Sequence, residues 1–231
     1  CITEKVVIME VLLMNMFLLF GMVYTVAPQT NVEVGGTNIS ITRPLTKKLT
    51  KAEPADLSKG IHAIVNKKHY VKQSYRPGVN KTADKQVKKM IKDMQSMGFD
   101  VWSTYTGYRS YEFQNLLYTN YVKERGQEAS DRFSARPGHS EHQLGLAFDI
   151  KSTSKKMLGK QESDSLAVKW MHSNCHKYGF VLRYMQGKEH ITGYMYEPWH
   201  IRYVGDEAEK IYKSGLTLEE YFGVEGGDYI D

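Results

Sequence analysis

The chain has 231 residues, 41% of them hydrophobic and 25% charged, a globular composition that excludes a disordered or low-complexity protein. Its net charge of +5 comes from acids and bases mixed along the sequence. That mild excess suits an anionic surface, and without a Lys/Arg block it leaves no nucleic-acid footprint.

Residues 11–27, VLLMNMFLLFGMVYTVA, are apolar apart from Asn15 and Thr25. The run has the length of a signal-peptide core or a short membrane helix. Thr25 and Ala27 are small enough for a cleavage site, but Pro28 would follow the cut. Residues 1–27 therefore read equally as an apolar helix that anchors the chain to a membrane or as a signal peptide that is removed. Residues 28–54 are polar, rich in threonine and broken by Pro and Gly, and read as a linker. The remainder, 55–231, is the folded domain. Cys1 and Cys175 fall in different segments, so no internal disulfide is expected.

Within the domain, IHAIV at 61–65 fits a strand or a short helix. KTADKQVKKMIKDMQSMGF places Val87, Met90, Ile91, Met94 and Met97 on one helical face, with Gly98 as the stop. FDVWSTYTGYRS alternates like a strand that turns at Gly107. Ser110 can cap a helix that closes at Gly126. SDSLAVKWMHSNCHKYG reads as a helix stopped at Gly179, and FVLRY and EHITGYMYEPWHIRYVG read as strands. The fold class is α+β, with strands clustered late.

HSEHQLGLAFDI, 139–150, carries the chemistry. With period two, Leu144, Leu146, Phe148 and Ile150 make a core face, and Gly145, Ala147 and Asp149 make the other. A carboxylate at the end of such a strand needs a cation or several donors. His142, seven residues earlier, must precede the strand and be brought round by a turn near Gly145. A metal site and a plain His–Asp hydrogen bond both fit this pattern. In EPWH, Pro198 disfavours a helix, and there is no HExxH. His200 and Arg202 share one face of the strand that follows. His142, Asp149 and His200 together supply two imidazoles and one carboxylate, the donor set of a catalytic zinc site with an open fourth position. Glu197 is then a spare carboxylate nearby. His172, Cys175 and His176 form a second helical cluster without a fourth ligand.

Ser140-x-His142-x-x-Gly145-x-Ala147-x-Asp149 followed by Glu197-x-x-His200 resembles the VanY-type carboxypeptidases, part of the LAS group of zinc peptidases. The resemblance spans roughly 60–205 and includes GYRS at 107–110 and HKYGFVLRY at 176–184. It implies a small antiparallel sheet flanked by helices, the LAS/hedgehog-like fold. It also implies one Zn²⁺ and a peptidase trimming D-alanine from peptidoglycan stem peptides outside the cytoplasm, with either D,D or L,D specificity. It further implies His142, Asp149 and His200 as metal ligands and Glu197 as general base. Arg109 would face the substrate, Gln114 would be its polar partner, and Ser140 would bind the terminal carboxylate. Arg136 is the alternative arginine. A non-catalytic wall-binding module is the remaining reading, and no feature sets an oligomeric state.

Overall fold

The computed structural model describes residues 30–34, 37–41, 49–161 and 164–230. The apolar run 11–27 lies outside the described residues. Among those described, no helix is long and apolar enough to cross a membrane. Within the stretch read as linker, β1 (Thr30–Val34) and β2 (Thr37–Ile41) pair antiparallel, with Thr30 opposite Ile41 and Val34 opposite Thr37. They belong to a unit separate from the main body, 46–231.

The main body opens with β3 (Glu53–Pro54), a 3₁₀ turn at Leu57–His62 and β4 (His69–Tyr70), which pairs parallel with β3. IHAIV is thus the end of a 3₁₀ turn and an irregular run. Helix α1 (Lys81–Ser96) starts where the Asn80 side chain accepts hydrogen bonds from the amides of Thr82 and Ala83. Val87, Met90, Ile91 and Met94 are buried as the spacing requires, but Met97 falls past the last turn and is 54% exposed. The expected strand through 99–106 shrinks to β5 (Tyr105–Thr106). Trp102 bonds to the carbonyl of Lys151, but a bend at Ser103 interrupts the pairing.

Helix α2 (Tyr111–Arg125) is capped by Ser110 and closed at Gly126, and the short α3 (Gln127–Asp131) follows. A 3₁₀ turn at Glu141–Leu144 leads through Gly145 into β6 (Ala147–Ile150). Helix α4 (Ser165–Asn174) tightens into a 3₁₀ turn, Cys175–Tyr178, and ends at Gly179. After β7 (Phe180–Leu182), the sequence read as further strand is instead the short α5 (Glu189–Thr192) and irregular chain, because Gly187 and Gly193 take positive φ. Then come β8 (His200–Tyr203), α6 (Ala208–Ser214) and α7 (Leu218–Phe222).

β5, β6, β8 and β7 form one antiparallel sheet in that order. Phe148, Ile150, Phe180, Ile201 and Tyr203 pack with the buried side of α1 in the main core. Burying each large apolar side chain contributes roughly 1.5–3 kcal/mol, so this face anchors the sheet. A smaller cluster of Ile64, Val181, Val204, Ala208, Ile211 and Leu218 lies with α6 and α7.

Candidate active site

Strand register builds the site. Asp149 on β6 is the direct partner of His200 on β8, and Ala147 is the partner of Arg202. Partners across an antiparallel pair project to the same face, so Asp149, His200 and Arg202 share the face opposite the main core. His142 arrives from the 3₁₀ turn rather than from the strand. Gly145 makes that possible. Its φ is +73°, and a Cβ there would stand 1.9 Å from the carbonyl oxygen of Gly78, so only glycine can turn the chain so close to the loop before α1.

Each imidazole has one nitrogen tied and one turned inward. His142 donates from Nδ1 to the carbonyl of Gly107 at 2.7 Å, which leaves Nε2 3.3 Å from Asp149 Oδ2. His200 donates from Nε2 to Glu141 at 2.9 Å, which leaves Nδ1 3.1 Å from Asp149 Oδ1. The three candidate donor atoms lie within 4.8 Å of one another. All three residues are 3% exposed, yet Asp149 Oδ1 accepts no hydrogen bond despite its short distance to the His200 ring. A buried carboxylate with one oxygen lacking a donor, each of its oxygens facing one ring nitrogen, fits a divalent cation. Two nitrogens and one oxygen in this arrangement suit zinc, and the neutral carbonyl and charged carboxylate behind the rings set their tautomers.

The charges follow from this packing. Burial works against ionisation of Asp149, but His142 and His200 outweigh it and hold the carboxyl well below the usual range. Burial likewise opposes a charge on His200, but Asp149 and Glu141 prevail and raise it to about 10, so a metal ion taking Nδ1 would displace a proton there. Burial dominates at His142 and lowers it, a shift towards the neutral ring that a ligand requires. Glu197 stands 3.5 Å from His200 Nδ1. Burial pushes its carboxyl up to about 8, against the pull of His200 and with the help of Asp149. A carboxyl that gains and loses its proton near neutrality is suited to proton transfer.

These groups open on a cavity of about 420 Å³, lined also by Arg109, Ser140, Lys160, Tyr184 and Tyr194. Arg109 is held from two sides. Nη1 donates to Gln114 Oε1 at 2.8 Å, and Nη2 lies 3.5 Å from Asp149 Oδ2. Its buried Nε has no hydrogen-bond partner among the described residues. Gln114 is buried and donates in turn to the carbonyl of Ala135 at 2.6 Å. The structure therefore brings together His142, Asp149, His200, Glu197, Arg109, Gln114 and Ser140. It does not bring Arg136 to them: that guanidinium is forked on Asp131 and lies 4.0 Å from the Tyr229 ring centre.

The second histidine cluster disperses. His172 bonds to the carbonyl of Pro198 at 2.9 Å, His176 stacks on Tyr212 and Cys175 is buried. His139 bonds to the carbonyl of Asn66. The residue that sequence reasoning passed over is Glu141. It holds His200 while accepting from Arg183 at 2.8 Å and Arg202 at 3.1 Å. Arg183 is also forked on Glu219 at 2.8 and 2.6 Å. The available signal was Arg202, two residues from His200 on the same strand face and in need of a buried acid.

Residues 76–206 match the VanY family, described as D-alanyl-D-alanine carboxypeptidase. The protein named carboxypeptidase YodJ of Bacillus subtilis (strain 168) is 36% identical over 197 residues, covering 76% of this chain and 72% of that protein. The LdcB LD-carboxypeptidase structure is 51% identical with a TM-score of 0.69, over 72% of this chain and 88% of that one. A vancomycin-resistance D,D-pentapeptidase VanY in complex with Zn(II) is 31% identical with a TM-score of 0.60, over 70% and 98% of the two chains.

Proposed function

The chain belongs to the VanY family of D-alanyl-D-alanine carboxypeptidases, and on that premise we propose that it removes the terminal D-alanine from peptidoglycan stem peptides. It is a metallocarboxypeptidase with one zinc ion as its cofactor. The observation that carries this reading is the Asp149–His200 register with His142 turned onto it, beside a buried Glu197 and a half-satisfied Arg109.

His142 Nε2, Asp149 and His200 Nδ1 would hold the zinc. When bound, the ion polarises a carbonyl and brings the pKa of water at the site to about 7. Glu197 takes a proton from the attacking water. The water oxygen bonds to the last peptide carbonyl carbon, the C–N bond breaks, and Glu197 returns the proton to the departing amine. Arg109 and Ser140 hold the substrate's terminal carboxylate, with Gln114 steadying the guanidinium from behind. Glu141 keeps His200 in the tautomer that leaves Nδ1 free for the metal.

As a D-Ala-D-Ala carboxypeptidase it would act on the pentapeptide stem. The second reading is an L,D-carboxypeptidase acting on the tetrapeptide, favoured by the 51% identity to the LdcB structure against 31% to the D,D-pentapeptidase. Mass spectrometry of tetra- and pentapeptide stems after incubation distinguishes the two by which peptide loses its last residue. If neither stem loses a residue, the carboxypeptidase reading fails. The substrate places the domain outside the cytoplasm, with residues 1–27 serving as export signal or membrane tether and 28–54 as spacer to the domain at 55–231.

A further inference from the structure

Only Gln114 is buried along α2. Starting from Gln114, which holds Arg109, the helix turns Leu117, Tyr121 and Arg125 along the wall of the catalytic cavity. From Gln114 to Arg125 the axis rises on the order of 16 Å at ~1.5 Å per residue. That is roughly five residues of extended peptide at ~3.3 Å each. That length is the outer limit: the Arg125 side chain leans back along the helix to Phe133, which packs on Tyr121, so with the terminal carboxylate held at the Arg109 end the guanidinium meets the stem short of that limit.

That far end is positive. The Arg125 guanidinium lies 5.3 Å from the Phe133 ring centre, and Phe133 packs edge-on against Tyr121 at 5.1 Å. Arg125 makes no ion pair among the described residues. The acids lining the cavity, Asp149 and Glu197, stand at the metal end. Lys160, the other exposed cation of the lining, sits 4.3 Å from the Trp199 ring centre and near enough to Glu197 to act on its carboxyl, so it too belongs to the reacting end.

We propose that Arg125 binds a carboxylate carried by the stem peptide upstream of the scissile bond, so that the enzyme prefers stems in which this group is ionised over stems in which it is amidated or absent. The inference rests on the carboxypeptidase reading. Two groups share the required chemistry: the α-carboxylate of a γ-linked glutamate at the second stem position, and the extra carboxylate of a diamino diacid at the third. The Phe133 ring beside the guanidinium engages none of its N–H groups in an ion pair, so they are available for a bidentate grip on a carboxylate.

Four synthetic stems decide the matter, with glutamate or isoglutamine second and lysine or diaminopimelate third, built on the stem length the enzyme cleaves. The expected result for the unaltered protein is a kcat/KM about tenfold higher for the peptide bearing the recognised carboxylate, and the four-way comparison identifies which carboxylate that is. The ratio collapses towards one in Arg125→Gln and at high salt, and Arg125→Lys keeps part of it. Equal cleavage of all four peptides, or an undiminished preference in Arg125→Gln, overturns the proposal. Failure to cleave any of them overturns the carboxypeptidase reading itself.

Discussion

Two clusters of buried charge occupy the same face of the sheet and meet at His200. Behind the ring, Glu141, Arg183, Arg202 and Glu219 form a closed set of two acids and two guanidinium groups. The nitrogens of both arginines all donate to carboxylates or to the carbonyls of Ile61, Ala63 and Tyr203. In front of the ring, Asp149 is as deeply buried, yet its Oδ1 accepts no hydrogen bond and Arg109 Nε donates none. A buried polar atom without a partner costs about 1–3 kcal/mol. The two clusters share a strand and a histidine, so the difference lies in completion rather than burial. The closed set holds the fold, and the open one leaves the polar atoms that the proposed metal ion and substrate would satisfy.

The largest effect should come from breaking the open cluster. Asp149→Asn is expected to lose its zinc and all measurable turnover while keeping its fold, read by elemental analysis, peptide hydrolysis and circular dichroism. Chelation should do the same reversibly. If Asp149→Asn retains zinc, the assignment of the open cluster collapses. Glu197→Gln should separate metal from chemistry, retaining zinc but losing turnover by about 10²–10⁴-fold.

Breaking the closed cluster should act on stability instead. Arg183→Met leaves Glu219 and one face of Glu141 buried without their cation, and should lower the unfolding free energy by about 3–5 kcal/mol in a denaturant titration. Adding Glu219→Gln should recover part of that loss. Acid gives an independent check. Burial opposes ionisation of Glu141, but Arg183 and Arg202 outweigh it and hold its carboxyl below the usual value. Its contribution is therefore complete above the unfolded-state pKa of about 4.3 and is lost as pH falls further. Glu141→Gln, at the junction, should give the smallest change in chemistry: a zinc affinity weaker by about 10–100-fold with the base and substrate arginine untouched, measured by competition with a chelating dye.

The open cluster was largely legible in the sequence because its members sit in two short motifs with fixed spacing. Period-two alternation put Asp149 and His200 each on one face, and the ladder between β6 and β8 made those faces the same one. The need for a turn at Gly145 followed from parity alone. The closed cluster was not legible, because Arg183 and Glu219 lie thirty-six positions apart on elements with no shared motif. Alternation overstates strand length for a related reason. Alternation at 99–106 and 189–199 looks extended locally, but a strand exists only where a neighbour supplies a ladder, and a bend at Ser103 and positive-φ glycines withdraw it. Met97 shows the same limit at a helix end, where the periodic stripe outran the last turn.

The placement of Glu219 also bears on how the chain matures. Synthesis delivers Arg183 well before its forked partner on α7, and the Leu49 amide waits for Glu225, 176 positions later. Without those late stretches, Arg183 and Arg202 would share Glu141 as the one acid of the closed set. Contacts so distant in sequence slow folding, so the interior around Arg183 can close only once the C-terminal residues are in place.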